Sequence, residues 1–403
     1  MHLSAVKSAV FVAAFTVSAS VFAVPSISDV SVTTEGNLFK IAYTLSGEDA
    51  IVTADILTNG VSIGGANLDY LSGDVNALVA AGSDKVVKWR ADLAWPMHEV
   101  SPASVSVKLK AFPQSSPPRY MVVNLDRLDT AAAVSYYESL DHLPRGGLTN
   151  AIYKISRIVF RRIPSAGTTY RMGYDGGEPS GVGWQKNNGC SPCHVMFTKD
   201  FYCAIYELTG AQAAFITDAV QPTPDVASHP NVGPNFNAYT GANGLLDTLR
   251  SRTGTTDFNL PTSAQWEFAA RAGERANSHN GFWIPGNGDY PDLRAIAWHN
   301  KNAGSASHEV GLLQPNNYGL YDVQGNVAEM CLDLVPPSGW TDRTGQVLTD
   351  PQGYQGTDAT SIVLRGSHRW AGPDYLLVWA IASEQKDRGP NNFVGVRLVF
   401  NID

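Results

Sequence analysis

The sequence has little charge and little cysteine. Charged residues make up 16% of its 403 residues, Lys and Arg are scattered without a run, and the formal net charge is -8. A protein that binds nucleic acid needs clustered basic side chains, so this composition argues against a nucleic-acid partner. The chain has four cysteines and none after Cys331. The last part of the sequence therefore has no thiol to offer for catalysis or for binding a soft metal.

Long apolar runs are also missing, except at the start of the chain. Ala9–Phe22 is apolar, follows the single positive charge of Lys7, and is too short to span a bilayer comfortably. Val21 and Ala23 fit the small-residue rule for cleavage after Ala23. We therefore predict a signal peptide over residues 1–23 and an exported protein (periplasmic, cell-surface or secreted) with no transmembrane segment. The alternative is a buried N-terminal strand or helix.

Residues 24–112 have the pattern of short antiparallel strands. Strand-like apolar segments occur at Ile41, Tyr43 and Leu45, at Ile51–Leu57, and at Val105, Val107 and Leu109. An Asn-Gly turn, Asn59-Gly60, follows the second of these segments. Period-two alternation with tight turns predicts an all-β domain, which we expect to be an immunoglobulin-like β-sandwich. It contains no cysteine, and we expect it to act as a spacer or docking module.

A linker and lead-in segment over residues 113–162 follows. Pro113–Pro118 is rich in proline and serine, which stiffen and expose a chain. After it, we predict a strand at Tyr120–Leu125, a short helix at Ala131–Leu140 and a strand at Ile155–Ile163. The last of these leads into a second domain over residues 163–403.

Two helices are expected in the second domain. Thr209–Val220 carries apolar residues at helical spacing, and Thr209 is a good N-cap. Over Thr262–Ala272, Thr262 and Gln265 have the spacing of a capping box, and Gly273 ends the pattern. The remainder is rich in Asn, Gly and Pro, so the predicted class is α+β with two helices and long loops.

Five phrases in this domain resemble one known family. They are TYRMG (Thr169–Gly173), LPTSAQWEFAARAG (Leu260–Gly273), NNYGLYDVQGNVAEM (Asn316–Met330), VLRGSHRW (Val363–Trp370) and GVRLVF (Gly395–Phe400). Together they are similar to the formylglycine-generating enzymes, or sulfatase-modifying factors. The resemblance implies a variant of the C-type lectin fold from about residue 163 onward.

The same resemblance implies that the family's chemistry is missing. Active members use two cysteines after an RGGS-like strand, and the corresponding positions here are Trp370 and Tyr375 (Leu376 with a one-residue slip). A pocket tryptophan of the family is replaced by Ala328. Neither Trp nor Tyr can supply the thiolate that Cu(I) requires, so we assign no catalytic residue and expect no copper.

A calcium ion is implied by the resemblance at the turn before Met330. The ligands would be the side chain of Asp322, the backbone carbonyls of Gly325 and Val327, and Glu329. Oxygen donors of this kind suit Ca²⁺. The alternative is a tight Gly-Asn turn with solvated acids beside it. Arg397 matches an arginine that we expect to hold the last strand by ion pairing.

The cysteines leave two alternatives open. Cys190, Cys193 and His194 form a C-x-x-C-H motif, the attachment signal of c-type haem. Only one copy is present and no axial partner is evident, so we favour a disulfide framework over haem. Cys203 and Cys331 complete the set, and four cysteines allow three pairings.

We predict a non-catalytic binding or scaffold module, a pseudoenzyme, for an unidentified protein, peptide or glycan. Its binding groove would be formed by aromatic and basic residues of the former active site, namely His368, Arg369, Trp370, Tyr375 and Trp379. The alternative for Trp370 and Trp379 is a core position. The alternative function is a protein-modifying oxidase of formylglycine-generating type with an altered active site.

Overall fold

The computed structural model describes residues 23–65, 70–97, 100–130, 132–174 and 191–402. The predicted signal peptide, apart from Ala23, lies outside the described residues, as does Cys190. Within these ranges, none of the helices has the length and apolar character needed to cross a bilayer.

The N-terminal region consists of two antiparallel sheets. The first has the strand order β1-β2-β7-β5, and in the second β3 lies between β8 on one side and β4 and β6 on the other. Their bounds are β1 Ser26–Glu35, β2 Leu38–Ser46, β3 Ala50–Thr58, β4 Val61–Ser62, β5 Leu71–Gly73, β6 Ala77–Val79, β7 Gly82–Arg90 and β8 Val105–Pro113. Residues of both sheets form one buried cluster, which includes Ile41, Val52, Ile56 and Trp89.

The alternation predicted for these strands is present. In β2, Phe39, Ile41, Tyr43 and Leu45 are buried while the residues between them are only half-buried. Asn59 (φ 51°) and Gly60 (φ 80°) both have left-handed backbone and join β3 to β4, as an Asn-Gly hairpin turn requires. The strand-rich character of this region is confirmed, and it also contains the one-turn helix Ala91–Ala94.

The rest of the chain contains three further sheets. The largest has the order β10-β9-β11-β14-β21-β15; the others are β12-β13-β17 and β19-β18-β16-β20. The bounds are β9 Tyr120–Asn124, β10 Val134–Tyr137, β11 Arg157–Ile163, β12 Thr169–Met172, β13 Cys193–Met196, β14 Phe201–Ala204, β15 Phe258–Asn259, β16 Ala328–Leu334, β17 Val347–Thr349, β18 Ser361–Arg365, β19 Ala382–Gln385, β20 Val394–Gly395 and β21 Val399–Asn401.

Short helices pack around these sheets. Their bounds are α1 Ala91–Ala94, α2 Ile152–Ile155, α3 Gly210–Thr217, α4 Phe236–Thr240, α5 Leu245–Thr253, α6 Ser263–Arg271 and α7 Pro291–Arg294. Both predicted helices are confirmed as α3 and α6, each with the full capping box, from Thr209 with Gln212 and from Thr262 with Gln265. The expectation of only two helices in this domain is wrong, because α5 has nine residues and buries Leu245, Leu246 and Leu249.

The prediction of a helix over Ala131–Leu140 is also wrong. Val134–Tyr137 is strand β10, which pairs with β9 and lies at the edge of the six-stranded sheet. The run of alanines favours a helix locally, but pairing with β9 satisfies the backbone and packs Tyr136 against Tyr202. Tertiary packing overrides helix propensity at this position.

The six-stranded sheet is buried on both faces. In β9, Tyr120 and Val122 contribute to one apolar cluster and Met121 and Val123 to the other. Alternate residues of β11 and β14 divide between the same two clusters. This double burial fixes the strand register, because a slip of one residue would exchange the two sets of side chains.

Candidate functional site

Three of the family-like phrases meet in one small sheet. Strand β16 carries Glu329, β18 carries Arg365 and β20 ends at Gly395, and β16 lies between the other two, with Glu329 opposite both of those residues. Segments far apart in sequence are therefore adjacent at the motif residues. Any site that the phrases build lies at this sheet and at the turns that enter and leave it.

The turn that enters β16 is organised by Asn326. Its side-chain oxygen accepts from the His308 N–H at 2.9 Å, and its side-chain nitrogen donates to Glu207 at 2.7 Å. Its backbone N–H donates to the Trp298 carbonyl at 3.0 Å, and its carbonyl accepts from the Arg369 N–H at 3.0 Å. Gly325 approaches Trp298 so closely that a Cβ would clash with the Trp298 backbone. Asn326 thus ties four segments together and requires glycine beside it.

Glu329 and Arg397 form a buried ion pair. Arg397 donates to both carboxylate oxygens of Glu329, with a shortest separation of 2.6 Å, and Trp266 Nε1 donates to the same carboxylate at 2.6 Å. Arg397 also donates to the carbonyls of Ala204, Ile205 and Tyr321. The prediction that Arg397 fastens the last strand by ion pairing is confirmed.

A second buried network lies on the neighbouring strand. Arg365 pairs with Glu267 of α6 at 3.1 Å, and Glu267 also accepts from Arg271 at 2.9 Å. Arg365 Nε donates to the Ser263 hydroxyl at 2.8 Å. The arginine of the RGS triple is therefore a structural group that joins β18 to α6.

The predicted calcium ligands fit a cation in part. Asp322 is buried, its Oδ2 accepts from the Gly311 N–H at 2.6 Å, and its Oδ1 has no hydrogen-bond partner. Glu329 does not fit, because both of its oxygens accept from Arg397. Across the described ranges, no group of three or more His, Cys, Asp and Glu side chains is arranged to hold a metal ion.

The charge around Asp322 is nevertheless unbalanced. Burial, with the Glu329 carboxylate adding to it, raises the pKa of Asp322 to about 6. Burial and the carboxylates of Asp322 and Glu329 raise the pKa of Glu207 well above its usual value. Asp322, Glu207 and Glu329 are all buried, so the acids beside this turn are not solvated.

The thiols of the described cysteines are buried and unpaired. Cys193, Cys203 and Cys331 are free cysteines, and any pairing with Cys190 lies outside the described residues, so the disulfide framework stays a prediction. Burial raises the pKa of the Cys203 thiol to about 12 and also raises those of Cys193 and Cys331. Cys193 points into the core from β13 and the next residue, His194, is exposed. Buried, protonated thiols are poor nucleophiles and poor metal ligands.

The residues of the predicted groove are separated by the fold. Trp370 is 40% exposed and Tyr375 is 46% exposed, whereas Trp379 is 1% exposed and packs against Tyr174. The core alternative is therefore correct for Trp379 and not for Trp370. Trp379 borders a different cleft, of about 300 Å³, with Tyr170, Phe268, Arg271 and Arg275.

Trp370 is held in a fixed position at the surface. Its indole N–H donates to the Ser305 carbonyl at 3.1 Å, and its ring lies 4.4 Å from the Arg369 guanidinium and 5.5 Å from the Phe393 ring. The His368 ring is 4.5 Å from Phe393. We call His368, Trp370 and Phe393 the aromatic surface.

An open groove adjoins the aromatic surface at Phe393. It has a volume of about 530 Å³ and is lined by Val232, Gly233, Arg388, Pro390, Asn391, Asn392 and Phe393. Gly366 (φ 79°) and Ser367 (φ 61°) end β18 with two left-handed residues and turn the chain toward it. The arrangement provides rigid aromatic rings, amide groups and open space, with no exposed nucleophile among these residues.

Sequence reasoning missed three contributors to this region. No charge pattern or sequence spacing indicates that Glu207 contacts Asn326, because the two residues lie 119 positions apart in the sequence. Phe393 follows a Pro-Asn-Asn loop and had no motif around it. An apolar residue after a loop of this composition is the only available signal, and it is a weak one.

Comparison with protein-family models matches residues 166–402 to the sulfatase-modifying factor enzyme 1-like domain. This is more than half of the chain. The chain belongs to this family. The resemblance inferred from the five phrases is thereby confirmed, and the strand-rich architecture with few helices accords with it.

Three curated relatives match shorter stretches. The inactive Cα-formylglycine-generating enzyme 2 of Mus musculus is 38% identical over 89 residues, 20% of this chain and 27% of that protein. The chaperone protein LppX of Paenibacillus barcinonensis is 31% identical over 101 residues, 21% of this chain and 34% of that protein. The serine/threonine-protein kinase pkn1 of Chlamydia pneumoniae is 35% identical over 111 residues, 27% of this chain and 14% of that protein. The chain thus spans about a third or less of these relatives.

Solved structures give similarities of the same kind at lower identity. Treponema denticola variable protein 1 superposes with a TM-score of 0.49 at 20% identity, over 60% of this chain and 95% of the other. PvdO from Pseudomonas aeruginosa has a TM-score of 0.46 at 19% identity, over 60% of this chain and 94% of the other.

Proposed function

We propose that this protein is an exported, non-catalytic recognition module of the sulfatase-modifying-factor family. The observation that carries the proposal is Trp370, an exposed aromatic residue fixed by Ser305, Arg369 and Phe393 at a position where the family resemblance expects a catalytic cysteine. A rigid aromatic ring loses little conformational entropy on binding, which is why Trp and Tyr are frequent anchors in interfaces.

The buried thiols support the same proposal. Formation of formylglycine by the family's route requires an accessible pair of thiolates, and the three described thiols are buried with raised pKa values. One relative over the matched segment is itself named an inactive formylglycine-generating enzyme. The alternative of a relocated oxidase would need one of the described cysteines, Cys193, Cys203 or Cys331, to become exposed, or would have to use Cys190, which lies outside the described residues.

Three finer features belong to the proposal. Residues 24–112 would form an immunoglobulin-like sandwich that positions the second domain, whose six-stranded sheet also includes β9, β10 and β11 of the predicted lead-in segment 113–162. Cleavage near Ala23 would release the exported protein. Ca²⁺ would bind at the turn before β16 through Asp322 and the carbonyls of Gly325 and Val327, where its role would be to neutralise the buried acids.

Binding measurements with matched tryptophan variants test the proposed recognition surface. The protein without residues 1–23 would be screened against immobilised peptide and glycan panels, and each positive ligand remeasured with Trp370→Ala. We expect that substitution to weaken binding at least tenfold, as for an aromatic anchor worth about 2 kcal/mol. Trp283→Ala, at another exposed tryptophan, should leave it unchanged.

Equal binding by both variants, or binding that survives Trp370→Ala, would show that the aromatic surface is not the recognition site.

A further inference from the structure

We infer that Arg369 is the anchor for a carboxylate group on the ligand of the aromatic surface. The inference rests on the proposed recognition function and adds the chemical class of ligand. It begins from the hydrogen bonds of Arg369, which differ from those of the other buried arginines of the motif strands.

Arg369 is a buried cation with no acid partner among the described residues. Its side chain is 4% exposed, its Nη1 is buried and has no hydrogen-bond partner, and its Nε only reaches the Ser305 carbonyl at 3.4 Å. By contrast, Arg365 and Arg397 each have a carboxylate within ion-pair distance. Burying an unpaired charge is costly, so proteins normally provide a counter-ion.

Glu207 interacts electrostatically with Arg369 but does not serve as its counter-ion. Glu207 favours the charged form of Arg369 electrostatically, but burial lowers the pKa of Arg369 more strongly. The Glu207 oxygens accept from the Asn326 side chain and the Val327 N–H, and no ion pair joins Glu207 to Arg369. The guanidinium therefore keeps unused donor capacity.

Trp370 separates this guanidinium from solvent. Its ring lies over Arg369 at 4.4 Å, with cation–π geometry, and it is itself exposed. A ligand carboxylate would reach Arg369 by displacing the Trp370 ring from the Ser305 carbonyl, so that an ion pair replaces the contact between the ring and the guanidinium. A planar guanidinium presents two parallel N–H groups that match a carboxylate, which makes a carboxylate a better fit than a neutral group.

The position of Trp370 gives a direct spectroscopic test. The protein would be labelled with 5-fluorotryptophan, and the Trp370 signal assigned as the ¹⁹F resonance lost in Trp370→Phe. Benzoate and benzamide, which share a ring and differ in charge, are then titrated in parallel. We expect benzoate to shift the Trp370 resonance saturably and benzamide to leave it in place.

Substitutions of Arg369 test the anchor itself. Arg369→Gln should abolish the benzoate response, and Arg369→Lys, which keeps the charge and loses the paired donors, should weaken it severalfold. Arg119→Gln, at an exposed arginine far along the sequence, should respond as the unsubstituted protein does. An N-acetylated glutamate amide and a methyl glucuronide, used as second probes, show whether a peptide or an acidic sugar is the better source of the carboxylate.

The inference is overturned if neither benzoate nor either second probe moves the Trp370 resonance, or if a folded Arg369→Gln protein responds as fully as the unsubstituted protein. Because the unsubstituted protein already gives the benzoate and benzamide comparison, a variant that fails to fold does not decide the result. A surface that binds only neutral ligands would leave the proposed function standing and remove Arg369 from it.

Discussion

Two neighbouring regions of the sulfatase-modifying-factor-like domain differ in whether their buried arginines have an acid partner. Arg365 of β18 and Arg397, two residues after β20, are buried and paired with Glu267 and Glu329. A few residues after β18, Arg369 is also buried but has no acid partner in the described ranges, and the adjacent Trp370 is exposed. We interpret the first region as the structural scaffold and the second as the recognition surface that we propose. The pairing of the arginines is the observed difference between them.

The largest effect is expected from the scaffold. Arg397→Met should destabilise the protein by about 3–5 kcal/mol, because it leaves the Glu329 carboxylate buried without its cation. Chemical denaturation followed by tryptophan fluorescence would measure the loss. Arg294→Met is the matched control at an exposed pair with Asp289 and should leave the stability nearly unchanged, because solvent screens surface ion pairs. Equal losses in the two variants would contradict the structural role of Arg397.

Calcium should stabilise the protein if the acids beside the turn that enters β16 bind it. Saturation at about one hundred times the Kd adds roughly 2.7 kcal/mol to the free energy of unfolding. Thermal melts with Ca²⁺ and with a chelator measure the change. Asp322→Ala should remove the response, since the buried Oδ1 of Asp322 has no other partner. Melting curves that are identical with Ca²⁺ and chelator would mean that the turn is built without an ion.

The two tryptophans after β18 provide a third comparison. Trp379→Ala should cost about 3–5 kcal/mol, because that side chain lies in the core. Trp370→Ala should cost about 1 kcal/mol or less, because it removes an exposed ring and one hydrogen bond. The same denaturation assay measures both, and a large loss for Trp370→Ala would reclassify it as a structural residue.

Much of the local structure could be predicted from the sequence, because short-range rules determine it. The capping boxes of Thr209 and Thr262, the alternation in β2 and the Asn59-Gly60 turn each involve residues within a few positions of one another. The ion pair of Arg397 could be expected only through the family resemblance.

The missed features depend on long-range packing. Strand β10 forms because β9 is beside it, and Glu207 meets Asn326 across 119 residues. The residues of the predicted groove were chosen because they are close in sequence. Sequence proximity does not reveal that the Trp379 side chain is buried while those of Trp370 and Tyr375 are exposed. The solvated acids expected as one alternative are buried for the same reason.

The absence of formylglycine chemistry is tested most directly by a mass measurement. The protein without residues 1–23 is incubated with Cu(I), oxygen and a peptide containing the sulfatase-type CxPxR sequence, and the peptide is followed by mass spectrometry. We expect no conversion of its cysteine above a no-protein control, because the described thiols are buried and Trp370 and Tyr375 stand at the expected cysteine positions. A mass loss matching formylglycine, abolished by Cys331→Ser and retained in the equally buried Cys203→Ser, would contradict the non-catalytic account.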